Sequence, residues 1–171
     1  MRDIMVRMTR IKTSHQADDL DAVRHSLAHL LAAAVLDLYP GTKNTIGPAV
    51  EYGFYYDFEF SKPISETDLP AIEAKMREIL PSWKSFERQE VTPAVARERF
   101  AENPYKLELI GEFSGEGKTL SLYTSGPPVG GFTDLCRGGH VDDAKTIDPN
   151  GFKLERIAGA YWRGKETNTM L

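Results

Sequence analysis

Two pairs of residues in this sequence combine types that catalysis and metal binding often use with a spacing that brings each pair together. His25 and His29 are four residues apart, so on a helix their side chains would project from the same side, one turn apart. Cys136 and His140 are also four residues apart, and two glycines between them permit a tight turn, because glycine accepts backbone angles that other residues avoid. If the two pairs meet, three imidazoles and one thiol form a single site.

This set of side chains, taken alone, favours a zinc site. Zinc binds imidazole nitrogen and thiolate sulfur, and three such ligands with a water molecule form a hydrolytic centre. Other interpretations stay open from the residues. The two histidines can be ordinary residues on a helix surface, and a cysteine near histidines can be a nucleophile or a small buried residue.

Helical periodicity predicts the element that carries the first histidine pair. Apolar residues recur at helical spacing from Asp19 to Leu38, and a proline-glycine pair then stops the pattern. His25 and His29 point nearly opposite the apolar stripe, towards a second face of small and mostly apolar residues. Such a face is typical of a helix that lines a cleft.

The remaining pattern mixes helices and strands without a regular alternation. It predicts helices that begin near Ser65 and at Thr92-Pro93, a short helical turn over 105–110, and strands in 45–60, 85–91, 119–123, 129–134 and 152–162. This order predicts the α+β class, with a mixed, largely antiparallel sheet and the long histidine-bearing helix lining a cleft. We expect residues 1–17 to be a tail, linker or edge strand, and 18–171 to form one domain.

Composition sets limits on the function. The 171 residues suit one domain, and no apolar run is long enough to cross a bilayer, so we expect no membrane partner. The single cysteine cannot form an internal disulfide, which favours a reducing cytoplasm. A net charge of −4 opposes nonspecific coating of nucleic acid. The segments 1–12 and 151–165 are basic, however, and are either solvated or able to contact a few phosphates.

Four segments resemble, in order and separation, the landmarks of the bacterial-type threonyl-tRNA synthetase editing domain. They are Arg24-His25-Ser26-Leu27-Ala28-His29-Leu30, Pro104-Tyr105-Lys106, Asp134-Leu135-Cys136-Arg137-Gly138-Gly139-His140 and Ala158-Gly159-Ala160-Tyr161-Trp162-Arg163-Gly164. The resemblance runs from about residue 20 to the end of the sequence. It implies a hydrolase in which water attacks the ester of serine wrongly attached to threonine tRNA.

The resemblance also implies roles for individual residues. The catalytic set is His25, Lys106, His29, Cys136 and His140. The substrate-binding set is Asp134, His29, His140 and Arg137: the first three hold the seryl group and the terminal adenosine, with Asp134 as the anionic partner of the substrate ammonium group. Arg137 either contacts a phosphate or forms a structural ion pair. No cofactor is required for editing, and ATP belongs only to the aminoacylation core, which this sequence lacks. The implied partners are the acceptor end of threonine tRNA and, if the chain is a fragment, the remainder of the synthetase.

Two alternatives accompany this interpretation. The related alanyl editing domains also carry paired His and Cys/His motifs and are associated with zinc, whose ligands here would be His25, His29, Cys136 and His140. The second alternative is a catalytically inactive module that binds the 3′ end of tRNA. One departure from the threonyl pattern bears on it, because Gly139 stands where the family usually has proline, and we expect a looser turn there.

Overall fold

The computed structural model describes residues 3–7 and 17–168, with side chains from residue 20 onward. Its four α-helices are α1 (Ala17–Leu38), α2 (Leu69–Ile79), α3 (Pro93–Arg99) and α4 (Pro104–Gly115). Its nine strands are β1 (Asp3–Arg7), β2 (Lys43–Asn44), β3 (Ala49–Val50), β4 (Gly53–Tyr56), β5 (Phe58–Glu59), β6 (Glu87–Val91), β7 (Leu120–Ser125), β8 (Phe132–Leu135) and β9 (Lys153–Ala158).

The strands form three small sheets, and every pairing between described strands is antiparallel. One sheet has the order β3-β4-β1-β9, another pairs β2 with β5, and the third has the order β6-β7-β8. The predicted α+β class is confirmed. The strands are divided among three sheets, whereas the sequence predicted one: β2 and β5 pair only with each other, and β6, β7 and β8 form a sheet of their own.

The first seventeen residues contribute a strand to the largest sheet. β1 pairs with β4 on one side and with β9 on the other, so it lies inside the sheet and not at its edge. An edge strand was one of the three forms that the sequence left open for this stretch. Residues 1–2 and 8–16 lie outside the described part of the chain, and the domain boundary near residue 17 stays a prediction.

Helix α1 is the central element of the main core and is confirmed close to its predicted bounds. Leu27, Leu30, Leu31 and Val35 are almost completely buried, and α1 packs against α2 and β4. Burial of each large apolar side chain stabilises the fold by about 1.5–3 kcal/mol. No helix of the described residues is long and apolar enough to span a membrane.

Helix α4 is longer than the sequence predicted. A short turn over 105–110 was expected, but the helix continues to Gly115. The two glycines at 111 and 115 weaken the sequence signal, since glycine lowers helix propensity by about 1 kcal/mol. The helix persists for two reasons. The side-chain oxygen of Asn103 caps its first turn by accepting a hydrogen bond from the Lys106 N–H, and Leu109 and Ile110 are buried against neighbouring elements.

Candidate functional site

Helix α1 brings His25 and His29 together as predicted. Their rings meet edge to face with centroids 5.1 Å apart. His29 is only 2% exposed, whereas His25 is partly exposed. This face is therefore buried at His29 and partly open to solvent at His25.

The segment after β8 returns the second pair to the same place. Gly138 and Gly139 adopt φ values of +95° and +86°, which belong to the left-handed region that favours glycine. Proline, with φ fixed near −65°, cannot take the conformation observed at Gly139. The tight turn lets the Gly138 N–H donate to the Cys136 sulfur at 3.3 Å and carries His140 back towards α1.

The two pairs form one compact cluster. The Cys136 sulfur lies 3.4 Å from Nε2 of His25 and 3.4 Å from Nε2 of His140. The ring of His140 is stacked on the ring of His25, with centroids 4.2 Å apart, and on the ring of Phe86, with centroids 4.3 Å apart. One ligand atom from each member of the set His25, His29, Cys136 and His140 lies within 4.8 Å of the others.

A buried ion pair adjoins this cluster. Lys106, in the first turn of α4, places Nζ 2.6 Å from Oδ1 of Asp134, and the two side chains are 2% and 4% exposed. Tyr56 donates its hydroxyl hydrogen to Oδ2 of Asp134 at 2.5 Å and accepts a hydrogen bond from Asn44 at 3.0 Å. Oδ2 is also 4.0 Å from Nε2 of His29, so the ion pair and the cluster are contiguous.

Most acceptor positions of the Asp134 carboxylate are already occupied. Besides Lys106 and Tyr56, the Leu135 N–H donates to Oδ1 at 2.8 Å, and Asn44 Nδ2 lies at 3.5 Å. A carboxylate has about four lone-pair directions. Oδ1 of Asp134 thus holds Lys106 and accepts from two further donors, whereas Oδ2 accepts a hydrogen bond from Tyr56.

Burial keeps the cluster uncharged. Desolvation lowers the pKa of His25, and it lowers the pKa of His29 well below its usual value of 6.5. Desolvation, reinforced by the two other imidazoles, lowers the pKa of His140 to about 2. Desolvation also raises the pKa of the Cys136 thiol to about 11. At neutral pH the site thus contains neutral imidazoles, able to accept a hydrogen bond, and a protonated thiol.

A pocket of about 710 Å³ joins the cluster to the ion pair. Its polar wall contains His25, His29, Cys136, Lys106 and Asp134, and its other wall is mostly apolar, with Ile46, Pro48, Leu109 and Phe113. Arg137 also lines the pocket, and its guanidinium lies 4.7 Å from the centre of the Phe113 ring. His140 is absent from the lining and contacts the two other imidazoles and the thiol.

Residues that the sequence did not single out complete the site. Ser26 Oγ accepts the Val141 N–H at 3.1 Å and lies 3.4 Å from Nδ1 of His140, which fixes the returning segment against α1. Gly47 packs against the ring of Tyr56 so closely that an added Cβ would lie 2.1 Å from a ring carbon. No local pattern marks Tyr56, but the Asn-Pro pair at 103–104 is a recognisable helix start and could have drawn attention to Asn103.

The donor set also fits a tetrahedral metal ion. Zinc–ligand distances of about 2.0–2.3 Å separate neighbouring ligand atoms by roughly 3.5 Å. The four donors, all within 4.8 Å of one another, would need to move by about 1 Å or less. In addition, Nδ1 of His29 is buried and has no hydrogen-bond partner. The residues present are thus compatible with zinc in type and position.

Sequence comparison identifies many similar proteins. The chain is 51% identical over 160 residues to the threonine–tRNA ligase of Borrelia garinii subsp. bavariensis, which is 94% of this chain and 27% of that protein. It is 50% identical over 156 residues to the threonine–tRNA ligase of Treponema pallidum subsp. pallidum, which is 91% of this chain and 26% of that protein. The chain therefore spans about a quarter of the length of these relatives. No protein-family model matches it.

Proposed function

Because the chain is homologous to a region of the threonine–tRNA ligases that makes up about a quarter of their length, we propose that it hydrolyses the ester of seryl-tRNA(Thr) as their editing domain. The observation that carries the proposal is the single pocket in which a buried lysine lies beside neutral imidazoles and a thiol. The acceptor end of threonine tRNA and the remainder of such a ligase are the proposed partners.

Editing is needed because serine and threonine differ by one methyl group. A pocket discriminates against the loss of such a group by only about 1–3 kcal/mol, so a threonine-specific enzyme also activates serine. A second site that admits the seryl ester and rejects the larger threonyl ester corrects the error. We assign the exclusion of the extra methyl group to the buried part of the pocket lining formed by His29 and Lys106.

Hydrolysis requires an oriented water molecule and a stabiliser for the negative charge that develops on the ester oxygen. We assign the second task to the Lys106 ammonium, since Asp134 and Tyr56 hold it in place. His25 orients and deprotonates the water, because its imidazole is neutral and lines the pocket. His29 accepts a hydrogen bond from the seryl group, and Arg137 lies where a phosphate of the tRNA end can reach it.

The protonated Cys136 thiol shapes the pocket and does not attack the ester. A thiol with a pKa near 11 is almost entirely protonated at neutral pH, and the thiolate is the nucleophilic form. His140 positions both this thiol and the His25 ring: its Nε2 lies 3.4 Å from the Cys136 sulfur, and its ring stacks on the His25 ring with centroids 4.2 Å apart. Its role is therefore one of support.

Deacylation assays test the proposal. The chain is expected to hydrolyse seryl-tRNA(Thr) and to leave threonyl-tRNA(Thr) intact, with rates reduced about 10²–10⁴-fold by His25→Ala or Lys106→Ala. Lys118→Ala, a change at an exposed lysine, is the matched control and should retain the rate. Circular dichroism confirms that each variant is folded. If the folded chain hydrolyses neither ester, it is a binding module without activity, and the proposal is wrong.

A zinc-dependent deacylase of the alanyl editing type is the second candidate, favoured by the four clustered donor atoms. His25, His29, Cys136 and His140 would hold the ion, which when bound supplies a Lewis acid and a more acidic water. Metal analysis of the purified chain, followed by deacylation after treatment with a chelator, separates the candidates. Activity that persists without zinc supports the proposed mechanism. Activity that is lost with zinc and restored by its return supports the alternative.

A further inference from the structure

A second cavity lies next to the pocket that holds the clustered histidines. Its volume is about 630 Å³, and it shares the side chains of Ile46 and Leu109 with the first pocket. These two apolar residues therefore form a ridge between the cavities, and Ile46 is 40% exposed on it. A flexible ligand with one end in the first pocket can pass over this ridge into the second cavity.

The far wall of the second cavity is formed by the last sequence landmark, which the proposed reaction does not use. Tyr161, Trp162 and Arg163 line it, together with Tyr55 of β4. Tyr161 and Tyr55 are both partly exposed, whereas Trp162 is buried with its ring 5.1 Å from the ring of Tyr105. The cavity thus presents the partly exposed rings of Tyr161 and Tyr55, next to the buried ring of Trp162.

This wall is held rigidly against α4. Arg163 pairs through Nε with Glu108 at 2.7 Å and through Nη2 with Glu112 at 2.6 Å. Trp162 donates Nε1–H to the second oxygen of Glu108 at 3.0 Å. Among the described non-glycine residues, Arg163 alone has a positive φ, +58°. Such a conformation costs about 1–3 kcal/mol and persists where its surroundings enforce it, which these three contacts do.

The chemistry of the wall selects the kind of occupant. Accessible aromatic rings and an apolar ridge suit the face of a nucleobase, because bases of single-stranded RNA stack on aromatic side chains. A phosphate group is a poor occupant, since the guanidinium of Arg163 is already paired with two carboxylates. The cavity has room for one base and its ribose.

From this geometry we infer that the second cavity binds the base of the penultimate nucleotide of the tRNA, while the terminal aminoacyl-adenosine occupies the first pocket. The inference rests on the proposed function. It assigns Tyr161 as a stacking residue and explains why the segment 160–164 is fixed beside the helix that carries Lys106.

Two non-hydrolysable probes test the inference. One is adenosine with serine attached through an amide at the 3′ position, and the other is the same molecule extended at its 5′ side by cytidine. Isothermal titration calorimetry of the 171-residue chain gives the ratio of the two dissociation constants. We expect the extended probe to bind roughly tenfold more tightly, a gain typical of one stacked base.

Substitutions locate the source of the gain. Tyr161→Ala should reduce the ratio to about one, whereas Tyr161→Phe, which keeps the ring, should preserve it. Tyr52→Ala removes a tyrosine that is 72% exposed and lines neither cavity, so it is the matched control and should also preserve the ratio. Preservation of the ratio by Tyr161→Phe would tie the gain to the aromatic ring, and unchanged binding of the single nucleoside probe by Tyr161→Ala would show that the first pocket is undisturbed.

The possible failures are distinguishable. If the single nucleoside probe binds and the cytidine adds no affinity, the second site is absent while the proposed function stands. If Arg137→Ala abolishes the gain and Tyr161→Ala does not, the RNA leaves the first pocket on its other side and the inference is wrong. If neither probe binds, the proposed function and this inference fail together.

Discussion

Lys106 and Asp134 form an ion pair of 2.6 Å between side chains that are 2% and 4% exposed. Desolvation makes such a pair costly to build and more costly to break, because removal of one partner leaves a buried charge without compensation. The pair also connects α4 to the end of β8, so it joins two of the segments that the sequence landmarks mark separately.

Replacement of Lys106 alone should therefore destabilise the fold as well as slow hydrolysis. We expect Lys106→Met to lower the free energy of unfolding by about 3–5 kcal/mol, because Asp134 loses its cationic partner. The double variant Lys106→Met/Asp134→Asn should recover part of this loss, since both charges are then absent. Urea denaturation followed by tryptophan fluorescence measures the effect.

Lys118→Met is the control for that experiment. Lys118 pairs with Glu116 at the surface, where ion pairs contribute little. Little change in unfolding free energy is expected. An equal decrease in the free energy of unfolding for the Lys106 and Lys118 variants would contradict the structural role of the buried pair.

The histidine cluster predicts a loss of stability in mild acid. His25, His29 and His140 all have a pKa below 6.5 in the folded chain, so the unfolded chain binds more protons as the pH falls below that value. Their contribution is fully present above about pH 6.5 and declines as the pH falls towards their folded pKa values. Each histidine contributes a slope of at most about 1.4 kcal/mol per pH unit.

His140→Gln isolates one of these contributions. Urea unfolding at several values between pH 5 and 7 should show a shallower dependence on pH for the variant than for the unchanged chain. Because both proteins contain the same carboxyl groups, the comparison removes their effect. Parallel pH profiles would show that His140 is not protected from protonation.

The Cys136 thiol should react slowly with alkylating reagents. Its pKa of about 11, against 9.0 for an ordinary thiol, lowers the thiolate fraction near pH 8 by roughly a hundredfold. In the native chain the rate of iodoacetamide labelling should rise about tenfold per pH unit between pH 7 and 9.5. In 8 M urea the same cysteine, the only one present, should label at an ordinary rate.

A different outcome would change the mechanism. A native labelling rate that reaches half of its maximum below pH 8 would indicate a thiolate at working pH. Cys136 would then be able to act as a nucleophile, and the assignment of a positioned water would need revision.

A side chain at Gly138 should destabilise the fold. A Cβ added there would lie 2.3 Å from Oη of Tyr123, and the residue also has φ +95°. Gly130 has a similar φ of +80° but nothing within 4 Å of an added Cβ, so Gly130→Ala measures the backbone strain alone. We expect Gly138→Ala to cost about 1–3 kcal/mol more than Gly130→Ala, the usual penalty of overpacking.

Tyr123→Phe provides the decisive comparison for this contact. In a Tyr123→Phe background the added methyl group no longer meets a hydroxyl oxygen, although a ring carbon remains 3.0 Å away. The cost of Gly138→Ala should fall by a measurable fraction in thermal unfolding. The same cost in both backgrounds would mean that the clash with Tyr123 does not limit the turn.

The sequence by itself determined the local features of this protein. The periodicity of α1, the spacing of His25 and His29 within it, and the glycines that permit the turn before His140 all depend on residues close together in the chain, where helix geometry and steric limits act directly. The resemblance to the synthetase editing domain likewise rests on short segments and their order. The α+β class followed from the same local patterns.

Only the tertiary structure decided which of these segments meet and which side chains are charged where they meet. Tyr56 is 50 residues from Lys106 and 78 from Asp134, and no local pattern links the three side chains. The fold also left His140 outside the lining of the pocket and paired Asp134 with Lys106 and Tyr56, contacts that the motif itself does not contain. Burial lowers the pKa values of the imidazoles and raises that of the thiol, and burial is a property of the packed chain, which spacing alone does not contain.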